Sequence, residues 1–183
     1  MGTKINLSSS IKILPVLLIL IGVSMRLLPH PANFTPIAAV ALFGAVYLPK
    51  KIGLVLPFIA LLISDFFIGF YGFTMFFVYG SFLITAIIGL YIRSKKSVGT
   101  VVGGTIISSI LFFLITNFAV WADPRSFYPD GLSGLMLSYT AGIPFFRNSL
   151  LGDLFFSGLF FGGYELVTFY SQKYLSIKYK NLI

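Results

Sequence analysis

Long apolar runs separated by short clusters of lysine and arginine constrain this chain more than anything else in it. A run of about 20 apolar residues is what an α-helix needs to cross the hydrocarbon core of a bilayer. Helices and closed barrels are the only structures that satisfy all of their backbone hydrogen bonds there. Composition agrees: 57% hydrophobic residues, 10% charged residues and a mean hydropathy of +0.97 give 183 residues far more apolar surface than one soluble core hides. The net charge of +8 does not point to nucleic acid, because the basic residues fall in clusters between the runs, where the positive-inside bias puts them. The absence of cysteine excludes disulfides, thiolate metal sites and cysteine nucleophiles.

Run length predicts an all-α integral membrane protein, a single domain over residues 1–183, with six transmembrane helices at about 11–28, 36–48, 52–70, 74–92, 98–118 and 148–170. The first run leads into Arg26 and a proline-rich turn without a small-residue cleavage pattern, so it reads as a retained helix. The second is short: ~13 residues cover only about 20 Å. It must be extended by residues 29–35, lie in thinned bilayer, or be covered by protein. Residues 119–147 are expected to form an outer cap. The apolar piece Leu132–Phe146 within it is short for a crossing and reads as an interfacial or re-entrant segment before the last helix, with seven spans as the rival count.

Charge sets the expected orientation. Six spans with both termini in the cytoplasm place Lys4, Lys12, Lys50, Lys51, Arg93, Lys95, Lys96, Lys173, Lys178 and Lys180 inside, and leave Arg26, Arg125 and Arg147 outside. A seventh span would carry the C-terminal lysines outward, against the same rule.

In that frame the polar residues of the spans gather near the outer face. Asp65 lies about 20 Å along the third span, Arg26 about 22 Å along the first, and Asp153 about 8 Å in from the outer end of the last. Tyr79 and Asn117 fall near the same level, and His30, Asn33, Trp121, Arg147 and Asn148 come from outward loops or helix ends. Ionisable groups in a bilayer are costly unless they are paired or line a cavity. These ten residues are therefore the candidate substrate-binding set: the arginines for anionic groups, the aspartates for donors, and Trp121 and Tyr79 for a ring. The structural alternative is that Arg26, Asp65, Arg147 and Asp153 form two ion pairs fastening helices, that His30 caps a loop, and that Asn33, Asn117 and Asn148 cap helices.

Ala38, Ala41 and Ala45 recur at helical spacing in the second span and offer a smooth face for close helix approach, either within the protein or to a docking partner. No Walker phosphate loop is present, and one histidine with no cysteine makes none of the usual zinc sites, so neither ATP hydrolysis, a metal nor a cofactor is expected. Nothing marks a scissile substrate, and the expected class is not an enzyme.

Six motifs carry a family resemblance: Arg26–Pro36 (RLLPHPANFTP), Ala41–Gly44 (ALFG), Ser64-Asp65, Tyr79–Phe82 (YGSF), Thr116–Trp121 (TNFAVW) and Pro144–Asp153 (PFFRNSLLGD). Over about residues 24–165 the chain resembles a family of small bacterial membrane proteins. That family is similar to the substrate-binding (S) components of energy-coupling-factor vitamin transporters. The resemblance implies a six-helix protein of the bacterial inner (cytoplasmic) membrane that binds a vitamin at its outer side and docks to a coupling subunit carrying two ATPases. It makes the Ala41/Ala45 face a docking candidate. A solitary cobalamin-binding S component has a similar outward histidine, aspartate and arginine set, but its cobalt-coordinating membrane cysteine has no counterpart here, so cobalamin is one ligand among several.

The expected function is thus a membrane solute-binding or transport protein for a vitamin-like small organic molecule, with lipid, that solute and a coupling module as partners. The alternative is a non-transport accessory subunit or a membrane enzyme modifying a lipid or cofactor, which turnover without net solute movement would reveal.

Overall fold

The computed structural model describes residues 9–180, and all regular structure among them is helical. The helices are α1 (Ser9–Met25), α2 (Ile37–Tyr47), α3 (Lys50–Ile68), α4 (Phe73–Ser94), α5 (Val98–Ala122), α6 (Leu132–Ser157) and α7 (Gly163–Lys180). A single π turn, Gly158–Gly162, joins α6 to α7 without a break, since Gly158 and Gly163 both keep right-handed helical dihedrals. The chain therefore builds six rods. Four apolar stretches are long enough to cross a membrane: Lys50–Ile68, Phe73–Ser94, Val98–Ala122 and Leu132–Tyr174. Their outward faces carry exposed apolar side chains such as Val55, Ile59, Leu62 and Phe66 on α3, as contact with lipid tails demands.

Turn chemistry fixes where the rods stop. Gly69 and Gly72, with φ of 109° and 71°, reverse the chain between α3 and α4, a backbone region that side chains with a Cβ avoid. Pro49 starts α3, and Ser97 starts α5 through a reciprocal capping box with Thr100. Successive rods run antiparallel. Loops 69–72 and 123–131 meet at a lysine-poor end, where Gly72 lies against Arg125, turns 48–49 and 95–97 meet at a lysine-rich end, and loop 26–36 is set back against Asn148 and Phe155 of the last rod.

The short second helix lies at the centre. Every residue from Ile37 to Val46 is buried, and α1, α3, α4, α5 and α6 all pack on it. Of the three ways a short span can be accommodated, covering by protein is the one observed. Ala38, Ala41 and Ala45 are accordingly internal, at 8%, 0% and 0% exposure, and the docking face expected from them is corrected to a packing face. Small residues serve close approach here: a Cβ on Gly89 of α4 would stand 2.7 Å from the Ala45 Cβ and 2.8 Å from the Leu42 carbonyl oxygen, and one on Gly53 of α3 would strike the Gly44 carbonyl. Close contact of this kind is equally required inside a bundle and at a partner interface, which is why spacing alone left both readings open.

The expected outer cap also changes. Helix α5 runs on to Ala122, and Leu132–Phe146 is not a separate re-entrant piece but the first part of one continuous last rod, which begins at Leu132 rather than near Asn148. Its side chains run down α5: Ser138 donates to the Asn117 carbonyl at 2.8 Å, Tyr139 to the Leu114 carbonyl at 3.0 Å, and Phe113 meets Phe146 at 4.8 Å. Lower down, Ser109 meets Asp153 and Thr105 meets Ser157. One antiparallel register thus runs along α5 from Asn117 to Thr105, and the last rod stays helical through Pro144 past the point where bilayer thickness alone would end it.

Candidate functional site

Three elements converge on Asp65, which is fully buried near the lysine-poor end of α3. Arg26, just past the end of α1, places Nη2 2.6 Å from Asp65 Oδ1 and donates through Nη1 to the Ser64 hydroxyl. From α4, the Tyr79 hydroxyl donates to Asp65 Oδ2 at 2.7 Å. Tyr71, in the α3–α4 loop, completes the group: its hydroxyl is pushed up to about 12, chiefly by burial and next by the Asp65 charge, against an opposing pull from Arg26. The carboxylate is thus neutralised by a cation and further held by a phenol, which is how a buried charge becomes tolerable.

Asp153 has no such partner. Its Oδ2 accepts a hydrogen bond from Ser109 of α5 at 2.7 Å, and no lysine or arginine pairs with it among the described residues. It borders a cavity of about 40 Å³ whose other walls are Asn33, Thr35, Ala38, Phe82, Phe112 and Ser149. A cavity of that size holds roughly three water-sized groups. Loop 26–36 forms one side of it. Phe34 donates its amide to the Pro31 carbonyl, closing a turn in which Asn33 has φ 61°, a conformation asparagine tolerates better than most residues. The Phe34 ring packs on Phe155 and Phe156 at 6.1 and 5.6 Å, and the Asn148 side chain donates to the Ala32 carbonyl at 3.0 Å. Both contacts pin the loop to α6 above Asp153.

The ten candidate residues therefore divide. Arg26, Asp65 and Tyr79 form one cluster, and Asn33 and Asp153 share the cavity. Asn148 ties down the loop beside it. The two ion pairs of the structural alternative reduce to one: Arg26–Asp65 forms, whereas Arg147 is exposed and does not meet Asp153. His30 is exposed, with Nδ1 2.9 Å from the Pro31 carbonyl oxygen. Asn117 is engaged in packing, its Nδ2 donating to the Phe113 carbonyl at 2.8 Å while its side chain lies against Gly142. Trp121 donates its indole N–H to the Pro129 carbonyl at 3.1 Å and so braces the α5–α6 loop.

Sequence reasoning passed over Ser64, Tyr71, Ser109, Thr35 and Ser149. Thr105 and Ser109, four apart inside an apolar span, mark one polar stripe on α5. Ser149 lies one helical turn before Asp153, on the same side of α6.

A larger cavity of about 490 Å³ lies toward the lysine-rich end, between α5 and the π turn, with Val98, Val101, Val102, Leu154 and Phe161 among its walls. Its polar groups are satisfied: Tyr47 donates to Glu165 at 2.6 Å, Lys96 pairs with Glu165, and Thr105 meets Ser157 at 3.1 Å. The lining is mainly apolar, and these polar members are already engaged with one another.

A bundle of apolar rods with polar groups buried between them defines a multi-pass, all-helical membrane protein. The chain belongs to a family of unknown function, DUF6580, which matches residues 7–177. No curated protein and no solved structure matches it.

Proposed function

We propose that the protein is a solute-binding membrane protein that takes a vitamin-like small organic molecule at the lysine-poor end. The observation that carries this reading is Asp153: a buried carboxylate, inside an apolar rod, with no cation opposite it among the described residues and a small cavity beside it that Asn33, Thr35 and Ser149 help to line. Structural carboxylates in such surroundings are paired, as Asp65 is. One left uncompensated beside a cavity marks a place that something else enters.

In this reading the chain crosses the bacterial inner membrane six times, with α1 and the enclosed α2 completing the count, both termini cytoplasmic and the lysine-poor end outward. The exposed His30 and Arg147 face incoming solute, and loop 26–36, held by Asn148 and Phe34, is the element that solute meets above Asp153. Arg26 is committed to Asp65 and serves to position loop 26–36 at the end of α1. Resemblance to energy-coupling-factor S components supports this assignment and supplies the source of energy, a coupling subunit with ATPases, since the chain has no phosphate-binding loop of its own. Such a subunit meets lipid-facing helices, because the small residues of α2 are enclosed. Cobalamin falls within the ligand class only if it binds without a thiolate on cobalt.

Small molecules that copurify with the protein in nanodiscs, identified by mass spectrometry and compared with an Arg147→Ala variant, test the proposal. A water-soluble organic compound at near one equivalent in the native protein and depleted in the variant is the expected result. Lipid alone in both samples, together with no thermal shift across a vitamin panel, sinks it.

A further inference from the structure

We infer that the cavity beside Asp153 is a sodium site, with the Asp153 carboxylate as its one charged ligand and Asn33, Thr35 and Ser149 supplying neutral oxygens. A carboxylate taken out of water inside an apolar rod costs several kcal/mol unless its charge is met. Each element around Asp153 offers only neutral groups: α2 brings Ala38, α4 Phe82, α5 Ser109 and Phe112, and loop 26–36 Asn33 and Thr35. Ser109 hydrogen-bonds one carboxylate oxygen but does not neutralise it.

The chemistry of the lining narrows the occupant. One carboxylate balances one positive charge, whereas the divalent hard cations are ordinarily held by several carboxylates or keep a full water shell. No group of three or more His, Cys, Asp or Glu residues is assembled among the described residues, which leaves nothing for a transition metal. The volume of about 40 Å³ suits a bare ion and a water or two. What remains is a small monovalent cation held by the carboxylate with Asn33, Thr35 and Ser149 beside it.

Asn33 and Thr35 belong to the turn that Phe34 and Asn148 hold against α6. An ion bound between them and Asp153 therefore fastens loop 26–36 to the last rod. That consequence rests on the solute-binding reading, since the same loop is where solute is placed. The ion site itself does not, and it is tested with no solute present.

The experiment is thermal unfolding of the native protein in nanodiscs at fixed ionic strength, with choline chloride replaced stepwise by sodium chloride or by potassium chloride, at several pH values. The expected result is a saturable rise in midpoint with sodium that potassium reproduces only at much higher concentration. Asp153→Asn should abolish the dependence while keeping the protein folded, because a neutral amide needs no counter-ion. Thr35→Ala and Ser149→Ala should raise the half-effective sodium concentration roughly tenfold, and they carry the test if Asp153→Asn does not fold. Stability that ignores sodium and rises only as pH falls assigns the site to a proton and overturns the inference. So does an equal response to sodium and potassium, or a sodium response that survives in Asp153→Asn. Copurification of an organic solute is a separate readout, so failure of the ion site and failure of the solute-binding reading are distinguishable.

Discussion

Asp65 and Asp153 are two aspartates buried in apolar helices of one bundle, and their surroundings answer the same electrostatic problem in opposite ways. Around Asp65 the fold supplies everything: the Arg26 guanidinium, the Tyr79 hydroxyl and the nearby Tyr71, drawn from α1, α4 and the loop between α3 and α4. Around Asp153 it supplies a serine and a cavity. The first arrangement fastens three elements together and leaves no free valence. The second leaves a charge for something from outside the chain to satisfy, which is why the proposed site is placed at Asp153 and not at the more elaborate Asp65 cluster.

The comparison breaks most sharply at the ion pair. Asp65→Ala strands the Arg26 guanidinium, which is only 14% exposed in its side chain, and removal of one partner of a buried pair costs about 3–5 kcal/mol. A large drop in thermal midpoint, with loss of folded monomer in detergent, is expected. Asp153→Asn strands no partner and should leave sodium-free stability unchanged or raised. If the two variants lose the same stability, the contrast between a fastening carboxylate and a binding carboxylate is wrong. Next in size, Tyr79→Phe removes a hydrogen bond to a buried charge and should cost about 1.5–3 kcal/mol, read by the same unfolding measurement.

Part of this contrast was legible before any coordinates. Arg26 and Asp65 were placed at matching depths by helix rise alone, and they do pair. The same reasoning set Asp153 at that depth by starting the last span near Asn148, with Arg147 at its outer end; the rod starts at Leu132, and these two do not pair. Six residues apart on a helix of 3.6 per turn, they project from different sides, a constraint that rise without rotation misses. The last rod eluded segmentation for a different reason. Span counting divides apolar sequence into bilayer-length pieces, and Ser138, Thr140, Arg147 and Asn148 look like an interruption. What carries the helix through them is tertiary: α5 extends to Ala122 and offers Asn117, Phe113 and Ser109 as partners along one register. The enclosure of α2 was likewise invisible locally, since its alanines fit a packing face and a docking face equally well.

A smaller test sharpens the Asp153 side. Ser109→Ala removes the hydroxyl that bonds Asp153 Oδ2, but the neighbouring cavity gives water or an ion access to the carboxylate. The loss should be about 1 kcal/mol, below that of Tyr79→Phe, and it should grow when sodium is withdrawn. A cost equal to that of Tyr79→Phe at every sodium concentration would mean that Ser109 alone stabilises the carboxylate and that the cavity contributes nothing.

The smallest effect separates the two regions by pH. Tyr71 is pushed up to about 12 from an ordinary 10.0, by burial first and by the Asp65 charge second. A phenol raised in the folded state favours its neutral form there. Its contribution is therefore fully present below pH 10 and disappears as pH climbs from 10 through 12. Because Tyr71 is 36% exposed, solvent screening keeps that contribution small, and the difference between native and Tyr71→Phe unfolding curves is what isolates it from other tyrosines and lysines. The difference should fade across that window in the native background. In an Asp65→Asn background, where the carboxylate charge is gone and burial remains, the fade should move to lower pH. No comparable shift is expected in an Asp153→Asn background, since the charge that Tyr71 feels comes from the Asp65 cluster; a shift there would show that the two carboxylates are electrostatically one site rather than two.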